Sequence, residues 1–178
     1  MRRMDRAVRM IVNKVLRKET DALLKETYRV MNTEAEPEPS KTQIRNLLDI
    51  THNRQAASLM EICKYMDYSE AKEKRNGSSP GDKNKAERNK NRTPVQENKE
   101  SGDENKTEKN KTSVQEIKES LVKKVTEILK MIKEEAGDKC SEEDKQEIEL
   151  LAAEKYFGYL YWQVTIKGAE NNNNTEKK

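Results

Sequence analysis

The chain predicts an all-α fold, a four- to five-helix bundle with a long disordered charged insertion. Three observations lead there. Apolar side chains recur at three- and four-residue steps in two separate blocks. No stretch shows a convincing period-2 alternation of the kind that a half-buried strand carries. Between the two blocks runs a segment nearly devoid of apolar residues.

The first helix is read from Met4, Val8, Ile11, Val12 and Val15, which share one face, with Arg2, Arg6, Arg9 and Arg17 on the opposite one. Thr20 or Asp21 interrupts it, and Leu23, Leu24, Tyr28 and Met31 continue or restart the pattern. Pro37 and Pro39 end it, because proline lacks the amide that a helix interior needs. Ser40-Lys41-Thr42-Gln43 then fits a capping box. Ile44, Leu47, Leu48, Leu59, Ile62 and Met66 supply one apolar stripe for the helix it opens, with polar Thr51 and Gln55 breaking the stripe in the middle.

Residues 69–112 contain only Ala71, Ala86 and Val95 as apolar side chains. Too little surface can be buried there to offset the entropy of ordering, so the segment reads as a disordered linker rich in Lys, Asn and Glu. The second block opens on Ser113-Val114-Gln115-Glu116, another capping-box pattern. Val114, Ile117, Leu121, Val125, Ile128 and Ile132 form its stripe, and Gly137 is its stop. Ser141 caps the last helix, where Ile148, Leu151, Tyr159, Trp162 and Ile166 fall on one side. Gly158 loosens that helix and Gly168 ends it. Five of the eight aromatics lie between Tyr156 and Trp162 and are expected in the core.

Such helices are marginal alone in water. The organisation expected is therefore an N-terminal half of the bundle at 1–68, the linker at 69–112, a C-terminal half of the same bundle at 113–168 and a disordered tail at 169–178.

Composition narrows the function. Of 178 residues, 39% are charged and 32% apolar, yet the formal net charge is only +3, so local asymmetry must carry any electrostatic partner. Two cysteines in no CxxC pair and a single histidine cannot assemble a His/Cys zinc cluster; no metal and no cofactor is expected. No apolar run approaches the roughly 20 residues of a bilayer span, and Met1–Lys18 lacks the continuous apolar core of a secretory signal. A reduced, cytoplasmic protein is the expectation.

Catalytic patterns are sparse. No Gly-rich phosphate loop, HExxH or Ser–His–Asp arrangement is present. Arg45 and His52 resemble the Arg-x4–6-His pattern of the HEPN ribonucleases, another all-α family. Seven residues along a helix is nearly two turns, so both face one way. Asp49 stands between them on that face, and an Arg45–Asp49–His52 surface ladder accounts for the same residues without chemistry. No catalytic residue is assigned, and the chain is not expected to be an enzyme.

The face of Met1–Lys18 carries seven Lys or Arg against one acid, Asp5. It reads as a solvated surface, as a membrane-surface helix or transit peptide (although Ser and bulky aromatics are missing), or as a docking surface for phosphates. On the last reading Lys41, Arg45 and Arg54 extend the surface, with Arg54 roughly opposite Arg45 on an ideal helix.

The stretch DALLKETYRVM…SKTQIRNLLDI resembles the small subunit of type III-A CRISPR–Cas effector (Csm) complexes, with Thr42-Gln43-Ile44-Arg45-Asn46-Leu47-Leu48 in the place of that family's Ser-Gln-Ile-Arg-Asn-Leu motif. Tyr156-Phe157-Gly158-Tyr159-Leu160-Tyr161-Trp162 is similar to its aromatic C-terminal helix. The good match covers about residues 21–50, with a weaker one near 148–166. Ser-Lys-Thr stands where the family has Thr-Thr-Ser, and the Lys/Asn-rich insertion is not a family feature. The small subunit of a type I CRISPR complex is the competing resemblance.

The resemblance implies a non-catalytic helical protein that stacks in several copies, as a filament, beside the other effector subunits. Its partners would be the guide RNA and the target nucleic acid, with no membrane. Arg45 carries over from the motif as an RNA contact; Arg2, Arg6, Arg9, Lys41 and Arg54 join it on charge and position alone.

Overall fold

A computed structural model describes residues 4–33, 39–76 and 112–175, of which 73–76 and 170–175 are described by backbone alone. These residues form six α-helices and no strand. They are α1 (Arg6–Lys18), α2 (Thr20–Met31), α3 (Lys41–His52), α4 (Leu59–Asn76), α5 (Ser113–Ala136) and α6 (Glu142–Thr175). The fold is the all-α bundle that periodicity predicts. The insertion lies outside the described residues between 77 and 111, and Arg2 lies outside them as well.

The helices count to six because two predicted helices each divide. α1 and α2 are broken only at Glu19, whose amide still bonds the Val15 carbonyl at 2.9 Å. Asp5 caps α1 by accepting from the Ala7 amide at 2.7 Å. The helix expected to run from Ser40 past Met66 breaks fully at 53–58. Its first part, α3, closes with a six-to-one bond from the Gln55 amide to the Ile50 carbonyl at 3.0 Å and a five-to-two bond from Arg54 to Thr51 at 3.3 Å. That pair is a Schellman motif, with Arg54 at φ 53° in the left-handed position that glycine normally fills. Ser58 then opens α4: its hydroxyl accepts from the Glu61 amide at 3.3 Å, while Glu61 accepts from the Ala57 amide at 2.7 Å.

Other boundaries shift. α5 is capped by Thr112, not Ser113: Thr112 and Gln115 form the reciprocal box, and Ser113 is buried. Residues 69–76, expected in the linker, are the last two turns of α4, and this part is held against α5 where the Thr112 hydroxyl donates to Glu70 at 3.0 Å. The predicted stop at Gly168 is also wrong. α6 continues through it to Thr175, since a glycine with open surroundings weakens a helix without terminating it. Gly137 does end α5, at φ 56°.

α6 is the central element. It packs most extensively on α3 and α2 and forms an antiparallel hairpin with α5, which in turn supports α1, α2 and α4. Tyr156, Phe157 and Leu160 of α6 are fully buried, together with Val8, Leu23, Ile44, Ile62, Leu121 and Ile132 from the other five helices. Each such side chain contributes about 1.5–3 kcal/mol when removed from water. Tyr28, Trp162 and Ile166, all placed on apolar stripes by spacing, are instead 61%, 59% and 55% exposed.

Two lysines of α6 plug the ends of its neighbours. Lys155 donates to the Leu16 carbonyl at 3.0 Å, at the C-terminus of α1, and Lys167 to the Met31 carbonyl at 3.1 Å, at the C-terminus of α2. Cations there meet carbonyls that lack an intrahelical partner and oppose the negative end of the helix dipole. They fix α1 and α2 in register along α6.

Candidate nucleic-acid interface

The basic residues singled out by sequence fall on two surfaces. On α1, Arg6, Arg9 and Arg17 form one exposed stripe opposite the buried Val8, Val12 and Val15. The stripe extends over twelve residues, its two ends roughly 16 Å apart along the helix. Among the described residues, no carboxylate lies within ion-pair range of these three arginines. Lys14, to one side, is paired with Glu135 of α5 at 2.9 Å.

The second surface is the edge of α3 that borders α6. The Lys41 ammonium stands 5.3 Å from the centre of the Tyr161 ring. At the other end of α3, His52 Nδ1 lies 2.7 Å from Glu154 Oε1. Arg45 is four residues after Lys41 and seven before His52, so it lies on this same edge. It is exposed and pairs loosely with Asp49 at 3.8 Å, a contact of about 0.3–0.5 kcal/mol at most. Arg54 is no longer on the helix. Its guanidinium folds back to the Thr51 carbonyl at 3.2 Å and reaches Glu154 Oε2 at 3.6 Å.

The structure thus gathers Lys41, Arg45, His52 and Arg54 along the α3–α6 seam, while Arg6 and Arg9 stand on α1, which packs on α5 and α2. The expected Arg45–Asp49–His52 ladder is half present: Asp49 takes Arg45, but His52 goes to Glu154. Both residues of the ribonuclease-like pattern are therefore engaged by separate carboxylates. Sequence reasoning missed Glu154 and Tyr161 as partners because they are distant in the chain, at positions set only by the packing of α3 on α6.

A buried polar chain lies on the opposite side of α6. The Tyr156 hydroxyl donates to Ser120 at 2.9 Å, and Ser120 donates to Glu26 at 2.8 Å. Glu26 also accepts from Arg29 at 2.8 Å and 3.2 Å. The bonded guanidinium holds the Glu26 carboxyl below its usual range, and burial pushes the Tyr156 phenol far up. Both groups keep their ordinary charge at neutral pH. The chain joins α2, α5 and α6 and reads as architecture.

Among the described residues, no group of three or more His, Cys, Asp or Glu could hold a metal ion. Cys63 and Cys140 are free thiols whose pKa values burial raises, so neither is an activated nucleophile. No described helix is long and apolar enough to cross a membrane.

No family model, curated protein or solved structure matches this chain. Fold and surface together define an all-α bundle with two exposed basic edges.

Proposed function

We propose that the chain is a non-catalytic RNA-binding small subunit of a CRISPR–Cas interference complex, in the manner of the type III-A small subunits that its Thr42–Leu48 motif resembles. The reading rests chiefly on the Arg6–Arg9–Arg17 stripe, a row of exposed cations along about three turns of α1 with no described carboxylate in pairing range. Phosphates are the ligands that such a row suits, because each contact releases condensed counterions. Arg45 and Lys41 supply a second strip of the same chemistry on α3.

Copies of the chain stack in the cytoplasm along the guide RNA–target duplex beside the other effector subunits. Base pairing reads the sequence, so backbone contacts suffice. Each copy binds weakly and the array binds strongly through linked contacts. Two separate basic edges suit a subunit that touches more than one strand.

The test is the double variant Arg6→Ala/Arg45→Ala in RNA-binding titrations over a range of salt. Both side chains are exposed, so the fold is retained by circular dichroism. Loss of two phosphate contacts lowers the slope of log K against log salt by about 1.4 to 1.8. Affinity and slope equal to those of the parent chain overturn the proposal.

A further inference from the structure

Glu154 ties the corner after α3 to α6. One of its oxygens meets His52 Nδ1 at 2.7 Å and the other meets the Arg54 guanidinium at 3.6 Å. The glutamate is largely covered, at 28% side-chain exposure, whereas His52 is 68% exposed. An ionised carboxylate only accepts hydrogen bonds, so the ring proton sits on Nδ1. Nε2, on the far edge of the imidazole, is left facing solvent as an acceptor. An unattached histidine exchanges tautomers freely; this one is held in a single orientation by a group from another helix.

The surroundings select what that acceptor takes. Asp49, three residues earlier and so a neighbour on the same face of α3, is exposed and faces Arg45 at 3.8 Å. His52 therefore stands between two carboxylates, Asp49 on its own helix and Glu154 on α6, with Arg54 drawn to the second oxygen of Glu154. A phosphate directly over the ring meets like charge there, whereas an uncharged donor does not. Cations for phosphates lie farther along the same edge, at Arg45 and Lys41.

Building on the RNA-binding reading above, we infer that His52 reads the ribose of the bound strand. Nε2 accepts a hydrogen bond from a 2′-hydroxyl, while Arg45, about 10 Å away along α3, meets a phosphate of the same strand. The 2′-hydroxyl is what separates RNA from DNA, and a neutral acceptor recognises it whatever the base. Glu154 is the positioning residue: it acts only through His52, by fixing which ring nitrogen is bare.

The full chain is titrated, at mildly alkaline pH and moderate salt, with one single-stranded sequence in three forms: RNA, 2′-O-methyl RNA and DNA. The 2′-O-methyl strand keeps the ribose and its oxygen but has lost the donor. RNA is expected to bind roughly two- to tenfold more tightly than either of the others. His52→Ala lowers RNA to the 2′-O-methyl level with the salt slope unchanged, because no phosphate contact is removed. The side chain it removes is exposed, so this result is independent of the fold. Glu154→Gln, whose amide oxygen still accepts from Nδ1, keeps the preference for RNA, and Glu154→Ala, which releases the ring, loses it. Equal affinity of the parent chain for RNA and 2′-O-methyl RNA overturns this inference and leaves the phosphate reading intact. A loss of the same size on all three strands in His52→Ala overturns it as well. Binding of none of the strands overturns both readings.

Discussion

Ser120 is the residue whose loss should be most informative for the fold. Its hydroxyl accepts from the Tyr156 phenol at 2.9 Å and passes a hydrogen bond to Glu26 at 2.8 Å. Tyr156 is completely buried, so in Ser120→Ala its hydroxyl is stranded away from water. An orphaned buried donor costs about 1–3 kcal/mol, whereas removing the donor itself costs only about 0.5–1.5 kcal/mol. Tyr156→Phe leaves Ser120 bonded to Glu26 and should be the milder change. The double variant has no orphan and should be more stable than the sum of the single effects allows, by roughly 1 kcal/mol. For a chain of this length, Ser120→Ala should lower the melting temperature by about 2–12 °C. Urea unfolding at neutral pH, followed by far-ultraviolet circular dichroism, gives the four free energies of the cycle. If the single effects add to within about 0.3–0.5 kcal/mol in the double variant, the hydroxyls do not interact and the argument is refuted.

Two glycines should respond in opposite directions. Gly137 holds φ 56°, so Gly137→Ala should cost about 1–3 kcal/mol. Gly158 is helical and unobstructed, so Gly158→Ala should gain about 0.5–1 kcal/mol; a melt that moves against its predicted direction at either site refutes the reading of that glycine. Glu26 supplies a pH test. The Arg29 hydrogen bonds lower its folded pKa, so its stabilisation is complete above the ordinary carboxylate range and disappears as pH falls through the lowered value. Glu26→Gln should therefore be less stable at neutral pH and show a shallower loss across that acid window. Parallel stability–pH curves for the two proteins count against the pairing with Arg29.

Much of the architecture could be read from local pattern. The stripe Val8–Val12–Val15, the box at Ser40, the stop at Gly137 and the cap at Ser141 all stand where spacing and capping chemistry put them. The corner at 53–58 was hidden because arginine occupies a position whose usual signal is glycine. A cue for the restart was nevertheless present, since Ser58-Leu59-Met60-Glu61 is itself a capping pattern. Trp162 and Ile166 illustrate a different limit. Helical spacing says which residues share a face, but not how much of that face the packed helices cover, and both residues stay more than half exposed. The basic residues were legible as charges, whereas their partners Glu154 and Tyr161 follow from tertiary packing alone.

Thr112 caps α5 and also touches Glu70 on α4, so the chain departs from and returns to the body on one flank, with roughly 9 Å of helix beyond Glu70 on the outgoing side. Such a doorway tolerates traffic: each doubling of the intervening length adds only about 0.6 kcal/mol of closure entropy. An engineer splicing a fluorescent reporter between α4 and α5 would therefore be adding length between two points already held together by the Thr112–Glu70 bond.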